Sequence, residues 1–190
     1  MYKILPILLL AYSLAITTED IYDNSWALII GIDKYENVSD LDYAVEDANS
    51  IASLLRDNFK FPSKNITILI NDEATYSNVR NSLFEISTSA KKNDRVLIYF
   101  AGHGKTMDLP DGGELGYLLP VDGDAENLYV SSIGMDEFKK ISSISQAKHM
   151  LFLIDACYGG LAATGSRGLS LTSPNYIEKI TKDKSRQIIT

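Results

Sequence analysis

The chain has 190 residues, of which 45% are hydrophobic and 23% charged, enough for one domain with a substantial core. Its formal net charge is -7 and its lysines and arginines are scattered, so no basic stripe exists to follow a phosphate backbone, and nucleic acid is not an expected partner. A single cysteine forbids an internal disulfide, and one cysteine with two histidines cannot by themselves complete a zinc site.

The N-terminus differs in kind from the rest. Lys3 precedes an apolar run from Ile4 to Ile16, the length of a signal-peptide core and short for a bilayer span, and Ser13-Leu14-Ala15 offers small residues at cleavage spacing. Residues 1–16 are expected to be a signal peptide cut near Ala15, which implies a secreted or periplasmic product with no stable membrane span. The alternative is an apolar first strand or helix of the domain. Residues 17–25 read as a short polar linker and residues 26–190 as the domain. Asn37-Val38-Ser39 and Asn65-Ile66-Thr67 are glycosylation acceptors only in a eukaryotic cell.

From Ser25 onward, short apolar runs alternate with helical patterns. Trp26 to Ile32, Ile66 to Ile70, Arg95 to Ala101 and His149 to Asp155 read as strands, and their continuous apolarity implies burial on both faces. Leu41, Ala44, Val45, Ala48, Ile51, Ala52 and Leu55 fall on one helical stripe; Val79, Leu83 and Ile86 form another after the N-cap candidate Thr75. Such alternation predicts a right-handed parallel sheet with covered faces. The segment from Met107 to Asp124 is rich in Gly, Asp and Pro and predicts a loop with a small hairpin; Met135 to Ile141 predicts a short helix.

In an open parallel sheet, loops converge beyond the carboxyl ends of the strands, and function gathers there. "VLIYFAGHG" ends the third strand on His103, and "LIDACYGG" ends the fourth on Cys157. If the two strands are neighbours, their side chains emerge side by side. A cysteine becomes a nucleophile when an imidazole favours its thiolate, and that imidazole can then protonate the leaving group. The glycines Gly102, Gly104, Gly159 and Gly160 let a substrate approach the backbone, and the amides of Gly104 and Cys157 are candidate oxyanion donors. The plain alternative is that cysteine and histidine each merely pack. Gly104-Lys105-Thr106 also ends like a phosphate loop, but that motif needs a glycine where Tyr99 stands and a helix where Met107-Asp108-Leu109-Pro110 follows.

"WALIIGIDKY", "LDYAVEDANSIASLL", "NDEATYSNV", "VLIYFAGHG", "GYLLPVD" and "LIDACYGG", in this order, resemble the caspase-like cysteine peptidases, in particular the metacaspase and prokaryotic caspase-like branch. The resemblance implies a three-layer α/β/α sandwich with a mainly parallel sheet of the caspase-haemoglobinase type, in strand order 2-1-3-4-5 with a strand beginning at Arg186. It implies a cysteine-type endopeptidase with His103 as base and Cys157 as nucleophile, acting through a thioester, with the amides of Gly104 and Cys157 as oxyanion hole. The partners implied are protein or peptide substrates; the oligomeric state is left open. No cofactor is expected, although many metacaspases need calcium held by acidic residues after the histidine. Asp122 and Asp124 are the candidates here, and read equally as a solvated turn. The family's domain continues past the strand that Arg186 begins, so the domain is expected to lack its last strand. The rival reading is an inactive caspase-fold binding or regulatory module.

Two finer expectations concern the substrate. Asp155, two positions before Cys157, and Asp47, on the first turns of the first helix, match the acidic residues lining the metacaspase specificity pocket, with Ala101 at the neighbouring strand end. A carboxylate pair in a partly desolvated pocket favours a bound cation, and bidentate geometry rewards guanidinium, so Arg or Lys is expected before the scissile bond and Asp is rejected. The alternative is that Asp47 solvates its helix and Asp155 ends a strand. In "LAATGSRGLSLTS", Arg167 sits where this family is often processed between catalytic halves, and self-cleavage is expected there.

Overall fold

A computed structural model describes residues 21–110, 113–156 and 185–190. Five parallel strands form the central sheet: β1 (Ser25–Gly31), β2 (Ile66–Ile70), β3 (Arg95–Ala101), β7 (His149–Asp155) and β8 (Ser185–Ile189). They lie in the order β2-β1-β3-β7-β8, which is the 2-1-3-4-5 order expected from the resemblance. The register is continuous, so Gly31 of β1, Ala101 of β3 and Asp155 of β7 form one row at the carboxyl end.

Helices cover both faces, which is why the strands show no polar alternation. On one face, α2 (Tyr76–Ser89) and α4 (Met135–Ile144) bury Val79, Leu83, Ile86, Phe138 and Ile141 against Leu28, Ile30, Ile98, Phe100, Phe152 and Ile154. On the other, α1 (Ala44–Asp57) lays Ala44, Ala48, Ala52 and Leu55 onto Ala27, Ile29, Tyr99 and Ala101. Small residues on α1 let it come close. The predicted stripe is therefore real, except that Leu41 lies before the first turn and Val45 is not among the residues packed in this core.

Caps come from two sources. Thr75 Oγ1 accepts from Asn78 N at 3.2 Å, a local cap visible in the sequence. The start of α1 has no local cap; instead Asp33 Oδ1, at the end of β1, accepts from Ala44 N at 2.8 Å.

The Gly/Asp/Pro-rich segment forms a hairpin that starts earlier than its composition suggests. Strand β4 (Gly104–Asp108) pairs antiparallel with β5 (Glu114–Leu118), which pairs in turn with the short β6 (Ile133–Gly134). A four-residue helix, α3 (Leu128–Ser131), precedes β6. Lys105 and Thr106 lie within a strand, so the backbone there has none of the curl that holds a phosphate. No described helix is long and apolar enough to cross a membrane.

Candidate active site

β3 and its continuation determine where His103 stands. Gly102 N donates to Asp155 O at 3.2 Å and Ile32 N donates to Ala101 O at 3.1 Å, tying the ends of β1, β3 and β7 together. His103 is one residue beyond Gly102 and Cys157 is two residues beyond Asp155, so the two chain segments leave the sheet next to each other. Cys157 itself lies outside the described residues, as do Arg167, Gly159, Gly160 and the N-terminal residues 1–16.

The His103 ring is held by the loop that joins β1 to α1. Its Nε2 lies 2.8 Å from Ser39 O, and a carbonyl only accepts, so Nε2 carries the proton of the neutral ring and the lone pair is on Nδ1. The Tyr35 hydroxyl accepts from His103 N at 2.8 Å, and the two rings pack with centroids 4.9 Å apart at 53°.

Gly104 begins β4 at the edge of its sheet. Leu119 N donates to His103 O at 3.0 Å, so alternation along the antiparallel ladder makes Gly104–Leu118 a pair without mutual hydrogen bonds. The Gly104 N–H therefore faces away from β5.

Ala101 and Asp155 are register partners, and Tyr99 lies one layer deeper on the same face. Burial, then the charges of Asp155 and Asp47, push the Tyr99 phenol up to about 12. Both carboxylates thus lie within electrostatic reach of one hydroxyl, although they are 108 positions apart in sequence (155 minus 47). Both are exposed at the carboxyl end of the sheet.

Of the acidic residues after the histidine, Asp122 caps the first residue of α2 and Asp124 forms a local turn. Asp122 Oδ1 accepts from Tyr76 N at 2.7 Å, and the Asp124 carboxylate accepts from Glu126 N at 2.8 Å and Asn127 Nδ2 at 2.5 Å. Among the described residues no group of three or more His, Cys, Asp or Glu side chains is placed to hold a metal ion. The two glycosylation acceptors also have structural duties. Asn65 is buried and donates to Ser25 O at 3.1 Å, while Asn37 donates to Asp122 O at 3.2 Å.

Sequence reasoning missed the loop that holds the histidine. Asp33 and Tyr35 stand in the "GIDKY" stretch without an assigned role, and Ser39 contributes a carbonyl that any residue would supply. Asn71 was missed as well: at φ 46°, its Oδ1 accepts from Asp33 N at 2.9 Å and Lys34 N at 3.1 Å. A polar side chain in the left-handed region is the one signal that marks such a position.

The sheet order, the flanking helices and a histidine at the carboxyl end of β3 define an α/β protein of caspase type. The caspase domain family model matches residues 24–188, and the chain belongs to that family. It is 26% identical over 148 residues to metacaspase-1A of Aspergillus oryzae, covering 72% of this chain and 34% of the relative. It is 29% identical over 147 residues to metacaspase-2 of Arabidopsis thaliana, covering 70% and 34% respectively. With metacaspase-7 of the same plant it shares 26% over 171 residues, covering 82% and 40%. The chain thus spans between a third and two fifths of these relatives' lengths. A solved structure, protein GSU0716 from Geobacter sulfurreducens, superposes with a TM-score of 0.60 at 19% identity, covering 72% of this chain and 52% of that one; the likeness is one of fold.

Proposed function

We propose that this chain is a cysteine endopeptidase that cleaves protein or peptide substrates after arginine or lysine, using Cys157 as nucleophile and His103 as base. The observation that carries the reading is the His103 ring, fixed through Nε2 on a backbone carbonyl with no Nδ1 partner among the described residues, two residues past a strand whose neighbour leads into the chain's one cysteine. Membership of the caspase-domain family supports it.

In this mechanism Nδ1 takes the thiol proton and the thiolate attacks the scissile carbonyl carbon. Charge developing on the carbonyl oxygen meets the N–H groups of Gly104 and Cys157. The imidazolium then gives its proton to the leaving amine, and a thioester remains. Nδ1 next deprotonates a water that attacks the thioester, releasing the acid and restoring the thiol. The chain supplies nucleophile, base and oxyanion donors, so this sequence of steps calls on no cofactor. Asp155 and Asp47 receive the cationic side chain preceding the cut, at the end of β3 beside Ala101. In the same reading residues 1–16 direct export and Arg167 is a self-cleavage point.

An Arg-fluoromethylketone read by intact mass tests the nucleophile: one adduct is expected on the parent and none on Cys157→Ala. Absence of an adduct on the parent would favour a non-catalytic module. Paired fluorogenic peptides ending in Arg or Asp test the pocket, with faster Arg hydrolysis expected and the preference weakened in Asp155→Asn. Faster hydrolysis of the Asp peptide, or an Arg preference untouched by the substitution, would remove the carboxylates from specificity.

A further inference from the structure

We propose that Tyr35 is a positioning residue for His103: its phenol holds the histidine's main chain and packs against the imidazole, so that the ring is presented with Nε2 on the Ser39 carbonyl. The role rests on the reading of His103 as the base, and Tyr35 acts through that histidine without touching the reacting atoms.

Three observations converge on it. The hydroxyl is the acceptor for His103 N at 2.8 Å, and without it that amide has no partner among the described residues. The ring stands 4.9 Å from the imidazole, tilted at 53°, limiting rotation on that side. A Cβ added at Gly102 would collide with the Tyr35 hydroxyl and approach the Phe100 ring at 3.0 Å, so the glycine before the histidine leaves space that the phenol occupies. Burial raises the phenol above its ordinary pKa, so the group stays neutral through the working range.

The loop is braced well enough for this duty. Lys34 Nζ and Asp40 Oδ2 pair at 2.8 Å, and Tyr35 N donates to Asp40 Oδ1 at 3.2 Å. Asn71 Oδ1 holds the amides of Asp33 and Lys34, and Glu36 N donates to Val121 O at 3.0 Å. Both groups that hold the histidine, the Tyr35 hydroxyl and the Ser39 carbonyl, belong to this one loop. A rigid loop with two contacts on one residue fixes both where the ring sits and which nitrogen is presented.

The test compares Tyr35→Phe, which keeps the ring, with Tyr35→Leu, which removes both contacts. On an Arg peptide, kcat should fall about five- to tenfold in Tyr35→Phe, the loss of one hydrogen bond, with KM nearly unchanged. Tyr35→Leu should fall further, and the acid limb of the kcat/KM profile should move in both. Independently of activity, imidazole NMR reports the His103 tautomer and pKa, with His149 as an internal reference. The His103 signals should move in Tyr35→Phe while those of His149 stay. Unmoved His103 signals, or kcat losses that merely follow a fall in thermal stability, overturn the positioning role. Turnover kept by His103→Ala overturns the base reading and this role with it, whatever the NMR shows.

Discussion

Gly31 ends β1 directly beneath α1, and replacing it with alanine probes a close approach of helix to strand. A Cβ there would stand 2.6 Å from the Ala44 carbonyl oxygen and 2.6 Å from Ala48 Cβ, whereas ordinary contact begins at 3.4 Å. The helix must therefore withdraw by about 0.8 Å, the difference of those two distances, because a helix carbonyl cannot rotate aside as a flexible side chain can. Overpacking of this kind costs about 1–3 kcal/mol. For a domain of this size each kcal/mol lowers Tm by about 2–4 °C, so Gly31→Ala should melt about 2–12 °C below the parent. The retreat also carries Asp47 away from Asp155, so KM for an Arg peptide should rise. Thermal unfolding by circular dichroism measures the first effect and steady-state kinetics the second. A Tm within about 1 °C of the parent would show that α1 does not rest on Gly31 and would refute the packing argument.

Two further outcomes follow from other parts of the molecule. Asp94 is buried, and its Oδ2 accepts from Trp26 Nε1 and Lys91 N, each at 2.9 Å. Asp94→Ala should cost about 1–3 kcal/mol through stranded donors and alter the emission of the one tryptophan; unchanged stability and spectrum would mean that water replaces the carboxylate freely. The brace in the histidine loop should weaken in acid. Asp40 is held below the ordinary carboxylate range, first by the hydrogen bond from Lys34 and then by the Tyr35 amide. Its contribution is complete above the unfolded carboxylate pKa and is lost as pH falls through the lower, folded value. The Tyr35 amide shift, followed by NMR from about pH 6 to about pH 2, should titrate below the ordinary Asp value of about 3.9; a midpoint at or above it would contradict the brace.

The sequence by itself determined the elements whose cause is local. Continuous apolar runs made strands, three- and four-residue spacing made helices, and Thr75 capped the helix that begins beside it. The order of the sheet was expected from the resemblance of the motifs to a known family, whereas a parallel sheet covered on both faces followed from the alternation of strands and helices. The place of His103, just past a strand end, was legible for the same reason.

What holds His103 was decided only in three dimensions. Its contacts with Ser39 and Tyr35 join residues 64 and 68 positions apart, and the first uses a carbonyl, which every residue carries. Asp33 caps a helix eleven positions away because the loop between them folds back. The hairpin's early start at Gly104 likewise depends on β5 being there to pair with it, since its own five residues lack a strong strand pattern. Periodicity records which face of an element is buried. It carries no trace of which backbone group or phenol a distant loop brings to an imidazole, because those bonds form only after the sheet has assembled the strand ends that the loops connect.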